Sequence, residues 1–176
     1  RLMASVDQYI YNIFDNGLVI NQFISSEIDL TDQKQGFKIN QFSQFPWEGY
    51  SLIEIMESNN VYSTIYIRIP HWDKNLQISV NKEECKFSTF NGYAKIEREW
   101  KKNDKIELKF DFTPRLLRTN TNVRYNIKKA SIFRGPILYC LEEVDNGKNL
   151  NQILIDEYIQ FKEIDEKIDN LKIISL

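Results

Sequence analysis

The sequence contains a single histidine, His71, and only two cysteines, Cys85 and Cys140, among its 176 residues. A zinc site needs several His, Cys, Asp or Glu side chains that converge, and neither CxxC nor HExxH spacing occurs. A Ser-His-Asp triad would have to recruit His71, and no G-x-S-x-G elbow supports one. The sequence therefore predicts no metal site and no hydrolytic triad, and His71 is interpreted as a loop residue between Pro70 and Trp72.

Two cysteines are too few for a disulfide framework, which favours a reducing compartment, and we expect a cytoplasmic location. Cys140 lies inside the apolar run 137–141 and is predicted to be a small, buried hydrophobic residue. A disulfide bond or a reactive thiol is the alternative for this cysteine.

The chain also has few glycines and a small net charge. With six glycines, no G-x-G-x-x-G and no P-loop, the chain lacks a phosphate cradle. The formal net charge is -2 and the two signs are interspersed, so no basic field attracts nucleic acid or anionic lipid. No apolar run approaches the ~20 residues of a membrane helix. We therefore predict neither a nucleic-acid partner nor a membrane partner.

Acidic residues are plentiful, but no pair of them suits glycoside hydrolysis, which needs two carboxylates flanking the scissile bond. Glu142 and Glu143 are adjacent, so on a strand they would point to opposite faces. Glu54 and Glu57 are interpreted as solvated charges on a sheet. The sequence thus predicts no catalytic residue and no cofactor ligand in this chain.

What the chain does contain is apolar patterning, and its first sixteen residues have the period of an amphipathic helix. The apolar stripe comprises Leu2, Met3, Val6, Tyr9, Ile10 and Ile13. Asn16 and Gly17 are typical of a helix end, because glycine adopts the left-handed C′ conformation without strain. We predict one short helix over residues 1–16 and homo-oligomer formation through its stripe.

From Leu18 onward the apolar period changes to two, as in strands with one buried face. Strands are predicted near residues 18–25, 37–43, 50–57, 62–69, 76–80, 93–99, 104–112 and 130–141. Many short strands separated by turn signals predict an all-β fold, with an antiparallel, jelly-roll-like β-sandwich over residues 17–146. Ile67 and Phe110 lie on the apolar faces of the two most regular strands and are predicted core residues.

Two turns and the end of the chain complete the outline. Asn81-Lys82 and Asn103-Asp104 are predicted turns, because Asn tolerates a left-handed conformation better than most residues. Residues 147–176 are predicted to form a charged linker and a final strand.

Large aromatic side chains are the remaining candidates for binding. Trp47, Tyr50, Trp72, Tyr93 and Trp100 could stack on sugar rings, although such residues more often pack in cores or interfaces. Trp47 and Trp72 follow or neighbour prolines in predicted turns, which favours a surface position. We therefore predict Trp47, Tyr50 and Trp72 as contacts to carbohydrate or to another domain.

Five short motifs, each present once, follow one another along the chain. They are Gly17-Leu18-Val19-Ile20-Asn21, Phe45-Pro46-Trp47-Glu48-Gly49, Arg68-Ile69-Pro70-His71-Trp72, Gly92-Tyr93 followed by Trp100, and ASIFRGPILYCLEEVDN over residues 130–146. In this order they resemble the region that follows the catalytic domain in the beta-L-arabinofuranosidases of glycoside hydrolase family 127. The resemblance covers nearly the whole chain and weakens after Asn146.

This resemblance implies a role that the residues alone do not show. It implies an upstream (α/α)6 barrel, with residues 1–16 as its terminal helix and the sandwich as an accessory domain. The barrel would bind zinc through a glutamate and cysteines upstream of Arg1, with one cysteine as nucleophile and another glutamate as acid/base. Cys85 and Cys140 do not match those catalytic cysteines.

Three functions remain open on this evidence: a structural accessory domain, a carbohydrate-binding module, and a catalytic unit, which the residue inventory disfavours. Aromatic residues aligned on one exposed face would favour the binding module. Buried aromatic residues together with a bare apolar patch beside the first helix would favour the accessory domain.

Overall fold

The computed structural model of the protein describes residues 2–14, 16–156, 158–168 and 171–175. The chain divides into two compact units, residues 1–112 and 113–176. The predicted boundary at residue 146 differs from this division, because the described strands after Phe112 pair only with one another. None of the described helices has the length and hydropathy that a bilayer crossing requires.

The first unit opens with a 3-10 helix, Leu2–Tyr9, and continues in eleven strands. The strands are β1 (Tyr11–Phe14), β2 (Gly17–Ile20), β3 (Ser26–Asp29), β4 (Phe37–Ser43), β5 (Tyr50–Ser58), β6 (Tyr62–Arg68), β7 (Gln77–Val80), β8 (Glu83–Glu84), β9 (Ser88–Phe90), β10 (Tyr93–Glu99) and β11 (Lys105–Lys109). Most of the predicted strands correspond to one of these, whereas the short strands β1, β3, β8 and β9 were not predicted.

The eleven strands form two sheets. Sheet A has the order β1-β2-β6-β10-β9, and sheet B has the order β3-β4-β5-β11-β7-β8. Neighbouring strands are antiparallel except for β2 and β6, which are parallel. The predicted all-β sandwich with one short N-terminal helix is confirmed.

The core lies between the inner faces of the two sheets. Alternate residues of the central strands are fully buried there: Leu18, Ile20, Ile65 and Ile67 from sheet A, and Ile39, Ile53, Ile55, Ile106 and Leu108 from sheet B. Trp100 is also fully buried, and its indole nitrogen donates a hydrogen bond to the Ser63 carbonyl at 3.2 Å. Ile67 and Phe110 are core residues, as predicted, although β11 ends at Lys109, one residue before Phe110.

The N-terminal helix is shorter than predicted, because the chain after it is used as a strand. A kink at Ser5 interrupts the helix, and Tyr11–Phe14 pairs with β2 as a hairpin instead of continuing the helical turn. The predicted stripe is split, since Ile10 is buried whereas Ile13 lies in β1 and is half exposed. Homo-oligomer formation through this helix stays a prediction.

Gly17 permits the close approach of β2 to its neighbour β6 within sheet A. A Cβ atom there would lie 2.8 Å from Cε2 of Tyr66 and 3.0 Å from the Thr64 carbonyl oxygen. Gly17 therefore belongs to strand β2 rather than to a helix end, and its small size lets β2 pair beside β6.

The two predicted asparagine turns are confirmed. Asn81 and Lys82 both have positive φ, at 54° and 71°, which suits the two-residue turn between β7 and β8. Asn103 has a φ of 69°. The Asn81 side chain stabilises both loops, since its Nδ2 donates to Asp104 Oδ1 at 2.8 Å and its Oδ1 accepts from the Lys105 backbone N–H at 2.9 Å.

The second unit has a three-stranded sheet and a separate hairpin. β12 (Arg115–Arg118), β13 (Ala130–Arg134) and β14 (Ile137–Tyr139) pair in that order, and β15 (Ile164–Ile168) pairs with β16 (Leu171–Ser175). Short helical turns occupy Arg124–Asn126, Glu143–Asn146 (α1) and Leu150–Gln152. The predicted single strand over 130–141 is thus two strands around a turn at Gly135, where φ is 55°. The predicted final strand matches β16, and Leu176 lies outside the described residues.

The prediction of a buried Cys140 is wrong. Cys140 follows β14, the edge strand of the small sheet, and its side chain is exposed. Its neighbour Leu138 is also exposed, so the apolar run 137–141 does not enter a core along its whole length. Both cysteines are free thiols.

Candidate functional site

The three predicted aromatic contacts lie in different surroundings. Trp47, in the loop between β4 and β5, is 61% exposed. Tyr50 begins β5 and lies on the outer face of sheet B, opposite Lys109 of β11. Trp72 is half-buried and packs against Phe112, with ring centroids 5.6 Å apart. The structure therefore does not align these residues on one exposed face.

Trp72 belongs to an aromatic cluster at one end of the sandwich. Its members are Phe23, Phe45, Trp72, Phe110 and Phe112, with ring centroids between 4.7 and 6.4 Å apart. Two of the sequence motifs contribute to this cluster. The motif at residues 45–49 contributes Phe45, and the motif at residues 68–72 contributes Trp72.

Gly49 and Asp73 hold the loops around this cluster. A Cβ atom on Gly49 would lie 2.6 Å from the Phe110 carbonyl oxygen and 2.7 Å from Cδ1 of Phe112, so the loop needs glycine for close packing. The buried carboxylate of Asp73 accepts hydrogen bonds from the backbone N–H groups of Asn75 at 2.8 Å and Asp111 at 3.1 Å. The cluster and its loops therefore have a packing role.

The acidic residues considered for hydrolysis are not paired as a glycosidase requires. Glu54 lies on the outer face of sheet B and forms an ion pair with Lys105 at 3.2 Å. Glu142 and Glu143 were assumed to lie on a strand, but they occupy the N-cap and the first position of α1, where both are exposed. His71 is exposed in its loop. Within the described ranges, no group of three or more His, Cys, Asp and Glu side chains is placed to hold a metal ion.

The thiol of Cys85 is not activated by its surroundings. Partial burial raises its pKa, and the nearby positive charge of Arg98 opposes this effect only in part. A raised pKa lowers the fraction of thiolate, which is the nucleophilic form.

The outer face of sheet B is a charged surface. Lys38 and Glu27 form an ion pair at 2.8 Å, in addition to the pair between Lys105 and Glu54. A shallow cleft of about 510 Å³ on this face has the lining residues Gln77, Ile78, Ser79, Lys82, Glu84, Glu107 and Lys109. Because the lining mixes two cations with two anions, this face is typical of solvated protein surface.

The outer face of sheet A contains a groove whose described lining residues are uncharged. The groove has a volume of about 290 Å³ and is lined by Asn12, Ile13, Phe14, Val19, Asn21, Tyr66, Phe90, Asn91 and Tyr93. Lys95 and Glu97 occupy the neighbouring part of the face and pair with each other at 2.8 Å.

Aromatic rings form the floor of this groove. The ring of Tyr66 lies between Phe14, at 5.9 Å in an edge-on arrangement, and Phe90, at 6.2 Å. Tyr66 is buried, whereas Phe14 and Phe90 are 53% and 48% exposed. We call the set of Phe14, Val19, Tyr66, Phe90 and Tyr93 the aromatic patch.

Sequence reasoning missed this patch, because its residues come from five separate strands. Phe14 was assigned to a helix, and Phe90 precedes a turn at Asn91 and Gly92, both with positive φ, that returns the chain into β10. Tyr93 was considered only as a possible sugar platform; its hydroxyl donates to Asn21 Oδ1 at 2.7 Å.

Comparison with known families identifies both units. The model described as "Beta-L-arabinofuranosidase, GH127 middle domain" matches residues 17–112, and the "Glycoside hydrolase family 127 C-terminal domain" matches residues 114–174. The gap between the two matches falls at the division between the two compact units.

Individual relatives agree with these matches. The chain is 30% identical over 156 residues to the non-reducing end beta-L-arabinofuranosidase of Bifidobacterium longum. The aligned region covers 85% of this chain and 23% of that protein. A GH127 beta-L-arabinofuranosidase structure from Geobacillus Stearothermophilus T6 has 31% identity and a TM-score of 0.85, covering 94% of this chain and 26% of that one. A second GH127 beta-arabinofuranosidase structure has 30% identity and a TM-score of 0.86, covering 99% and 30%. The chain thus spans less than a third of the length of these relatives.

Proposed function

Because this chain belongs to glycoside hydrolase family 127, we propose that it is a non-catalytic β-sandwich region that supports the catalytic domain of a beta-L-arabinofuranosidase-like enzyme. The observation that carries the proposal is the position of the two matches, which are a middle domain and a C-terminal domain of the family. The chemistry of an arabinofuranosidase would then be performed by a domain that precedes residue 17 in the whole protein.

The residue inventory supports this division of labour. Of the carboxylates considered for hydrolysis, Glu54 is ion-paired and Glu142 and Glu143 are exposed, and Cys85 has a raised thiol pKa. By contrast, the region matched to the middle domain has a continuous apolar core, and side-chain hydrogen bonds of Asp73 and Asn81 hold its loops. These are the properties of a scaffold. We therefore assign stability and domain positioning to this chain, and bond cleavage to the preceding domain.

The zinc ion that the family resemblance implies does not fit the residues described here, because they offer no cluster of suitable ligands. We propose that its ligands lie in the catalytic domain. Metal analysis tests this point: stoichiometric zinc is expected in the longer protein that carries a catalytic domain, and none in the purified 176-residue chain. Zinc that stays with the chain after mild chelation would contradict the assignment.

The supporting role is tested by comparing three proteins on an aryl beta-L-arabinofuranoside: the 176-residue chain, the catalytic domain alone, and the longer protein containing both. We expect no turnover by the chain alone, turnover by the longer protein, and lower activity or a lower melting temperature for the catalytic domain alone. The proposal fails if the chain itself hydrolyses the substrate and a substitution within residues 1–176 abolishes that turnover. It also fails if the catalytic domain alone matches the longer protein in both activity and stability.

Carbohydrate binding through Trp47, Tyr50 and Trp72 was the alternative function. Trp72 packs in the aromatic cluster and Tyr50 lies among charges on sheet B, so no shared platform supports this alternative. Titrating the chain with arabino-oligosaccharides while tryptophan fluorescence is recorded would test it, and a saturable change that Trp47→Ala removes would restore it.

A further inference from the structure

We propose that the aromatic patch on the outer face of sheet A is the surface on which the preceding catalytic domain packs. This inference rests on the proposed function and extends it, because it names the face of the sandwich that contacts the partner. The partner we propose is a protein domain with an apolar, uncharged surface.

The exposure of the patch is the first argument. Phe14 and Phe90 are each about half exposed, although both rings lie against the buried Tyr66. Contiguous apolar surface of this kind is uncommon on isolated soluble domains and marks interaction sites.

The chemical character of the patch is the second argument. Cores of protein interfaces are enriched in aromatic side chains and depleted of charge, with polar groups at their rim. The described residues that line the groove are uncharged and include the exposed amides of Asn12 and Asn91. The charges beside them are those of the exposed Arg68 and of Lys95, which is paired with Glu97. A protein surface could therefore cover the rings without burying an unpaired charge of a described lining residue.

The contrast with sheet B is the third argument. Phe42, on the outer face of β4, is 50% exposed, as Phe14 and Phe90 are, but it lies opposite Leu52 on β5, and the next outward residue of β5 is the ion-paired Glu54. A single exposed apolar residue on such a face needs no partner. The two faces therefore differ in their neighbours rather than in the exposure of one ring.

The course of the chain and the length of the relatives select the occupant. The matched relatives are more than three times as long as the part they share with this chain, and the match is to a middle domain. A preceding domain would connect through the N-terminal 3-10 helix to β1, and β1 itself contributes Phe14 to the patch. The patch therefore lies beside the strand through which a preceding domain is joined.

Hydroxyl-radical footprinting read by mass spectrometry tests the inference without any substitution. The labelling rates of Phe14 and Phe90 are measured in the 176-residue chain and in the longer protein that carries the catalytic domain. Phe42 serves as an internal control of the same residue type and the same exposure. In the longer protein we expect Phe14 and Phe90 to label about fivefold more slowly, because the core of an interface is almost fully buried. Phe42 should be unchanged.

Three results would overturn the inference. Equal labelling of Phe14 and Phe90 in both proteins, while activity still depends on the chain, refutes the docking surface but leaves the proposed function intact. Protection in the isolated chain that increases with protein concentration shows that a second copy covers the patch. Protection of the isolated chain by added arabino-oligosaccharide shows that the groove binds sugar instead.

A pair of substitutions in the longer protein provides an independent measurement. Phe90→Ser should separate the thermal unfolding of the sandwich from that of the catalytic domain, whereas Phe42→Ser should leave the unfolding profile as in the unsubstituted protein. The same profile for both variants would contradict the inference. Because both rings are half exposed, neither substitution removes a core residue.

Discussion

The outer face of sheet B carries ion pairs and a cleft lined by both charge signs, whereas the outer face of sheet A carries a groove lined by aromatic, aliphatic and amide side chains. The inner faces of the same two sheets are alike, with isoleucine and leucine side chains fully buried in one core. The comparison teaches that the core is built from the inner faces, whereas the outer faces differ in their side chains. This difference is the basis of the docking surface that we propose on sheet A.

The largest expected effect tests whether the inner faces are truly equivalent. Ile67→Ala in sheet A and Ile53→Ala in sheet B should each lower the free energy of unfolding by about 2–5 kcal/mol, because both fully buried side chains leave a cavity. Ile13→Ala is the matched control, since Ile13 is 49% exposed, and should change it by less than about 0.5 kcal/mol. Urea denaturation measures all three. An unchanged midpoint for Ile67→Ala would mean that β6 is in a different register.

Gly17→Ala tests how closely β2 packs beside β6 in sheet A. The added methyl group would clash with the Tyr66 ring and the Thr64 carbonyl oxygen, and we expect a loss of about 1–3 kcal/mol in the free energy of unfolding. Repeating the substitution in a Tyr66→Ala background should make it less costly, since one of the two clashes is removed. Equal costs in the two backgrounds would show that the ring does not limit this position.

Removing one ion pair from each outer face tests whether the surface charges of the two sheets contribute differently to the free energy of unfolding. Glu54→Gln on sheet B and Glu97→Gln on sheet A remove the partners of Lys105 and Lys95. Each should cost less than about 1 kcal/mol, and the cost should fall further in high salt, because both pairs are at the surface. A markedly larger loss for either variant, measured by thermal unfolding at two salt concentrations, would contradict this expectation.

The smallest effect concerns the acid side of the stability profile at the edge of sheet B. The Thr31 hydroxyl, at 2.7 Å, and the Thr31 backbone N–H, at 3.0 Å, donate to Asp29 and lower its pKa. The folded state therefore binds this proton less readily than the unfolded state does. The resulting stabilisation is present above about pH 3.9 and is lost as the pH falls through the folded pKa.

Asp29→Asn should remove that contribution. Its unfolding midpoint should lie slightly below that of the unsubstituted protein at neutral pH, and the two should converge as the pH is lowered. A difference between the two proteins that grows toward acid pH would reverse the sign of the effect. Circular dichroism thermal scans over a series of pH values measure it.

Most strands could be predicted from the sequence, because their signal is local. In residues 64–69 and 105–112 an isoleucine, leucine or phenylalanine stands at every second position, and a strand places such residues on one face. The asparagine turns could be predicted for a similar reason, since the preference of Asn81 and Asn103 for positive φ belongs to the residue itself.

Other features could not be predicted, because they depend on distant parts of the chain. Residues 11–14 fit a helical stripe as well as a strand, and the edge of β2 decides between the two by providing hydrogen-bond partners. Cys140 lies in an apolar run, but its burial depends on whether another layer covers β14. The division after Phe112 likewise depends on which strands pair, and no change of composition marks it.

The candidate binding residues show the same limit. Trp47, Tyr50 and Trp72 were chosen from residue type and neighbouring prolines, which indicate a turn but do not indicate what the side chain contacts. Trp72 is placed among the rings of Phe45 and Phe112 by residues that are distant in sequence.

The sequence by itself determined the all-β class, the positions of most strands, the asparagine turns and the family, because periodicity, turn preference and motif order are properties of neighbouring residues. Only the tertiary structure decided that Phe14 and Phe90 flank Tyr66 on one face, since that arrangement requires the pairing of β1 with β2, β2 with β6, β6 with β10 and β10 with β9. Which outer face of the sandwich is apolar is therefore a property of strand order, and strand order is set by the free energy of the whole packed core rather than by any one segment.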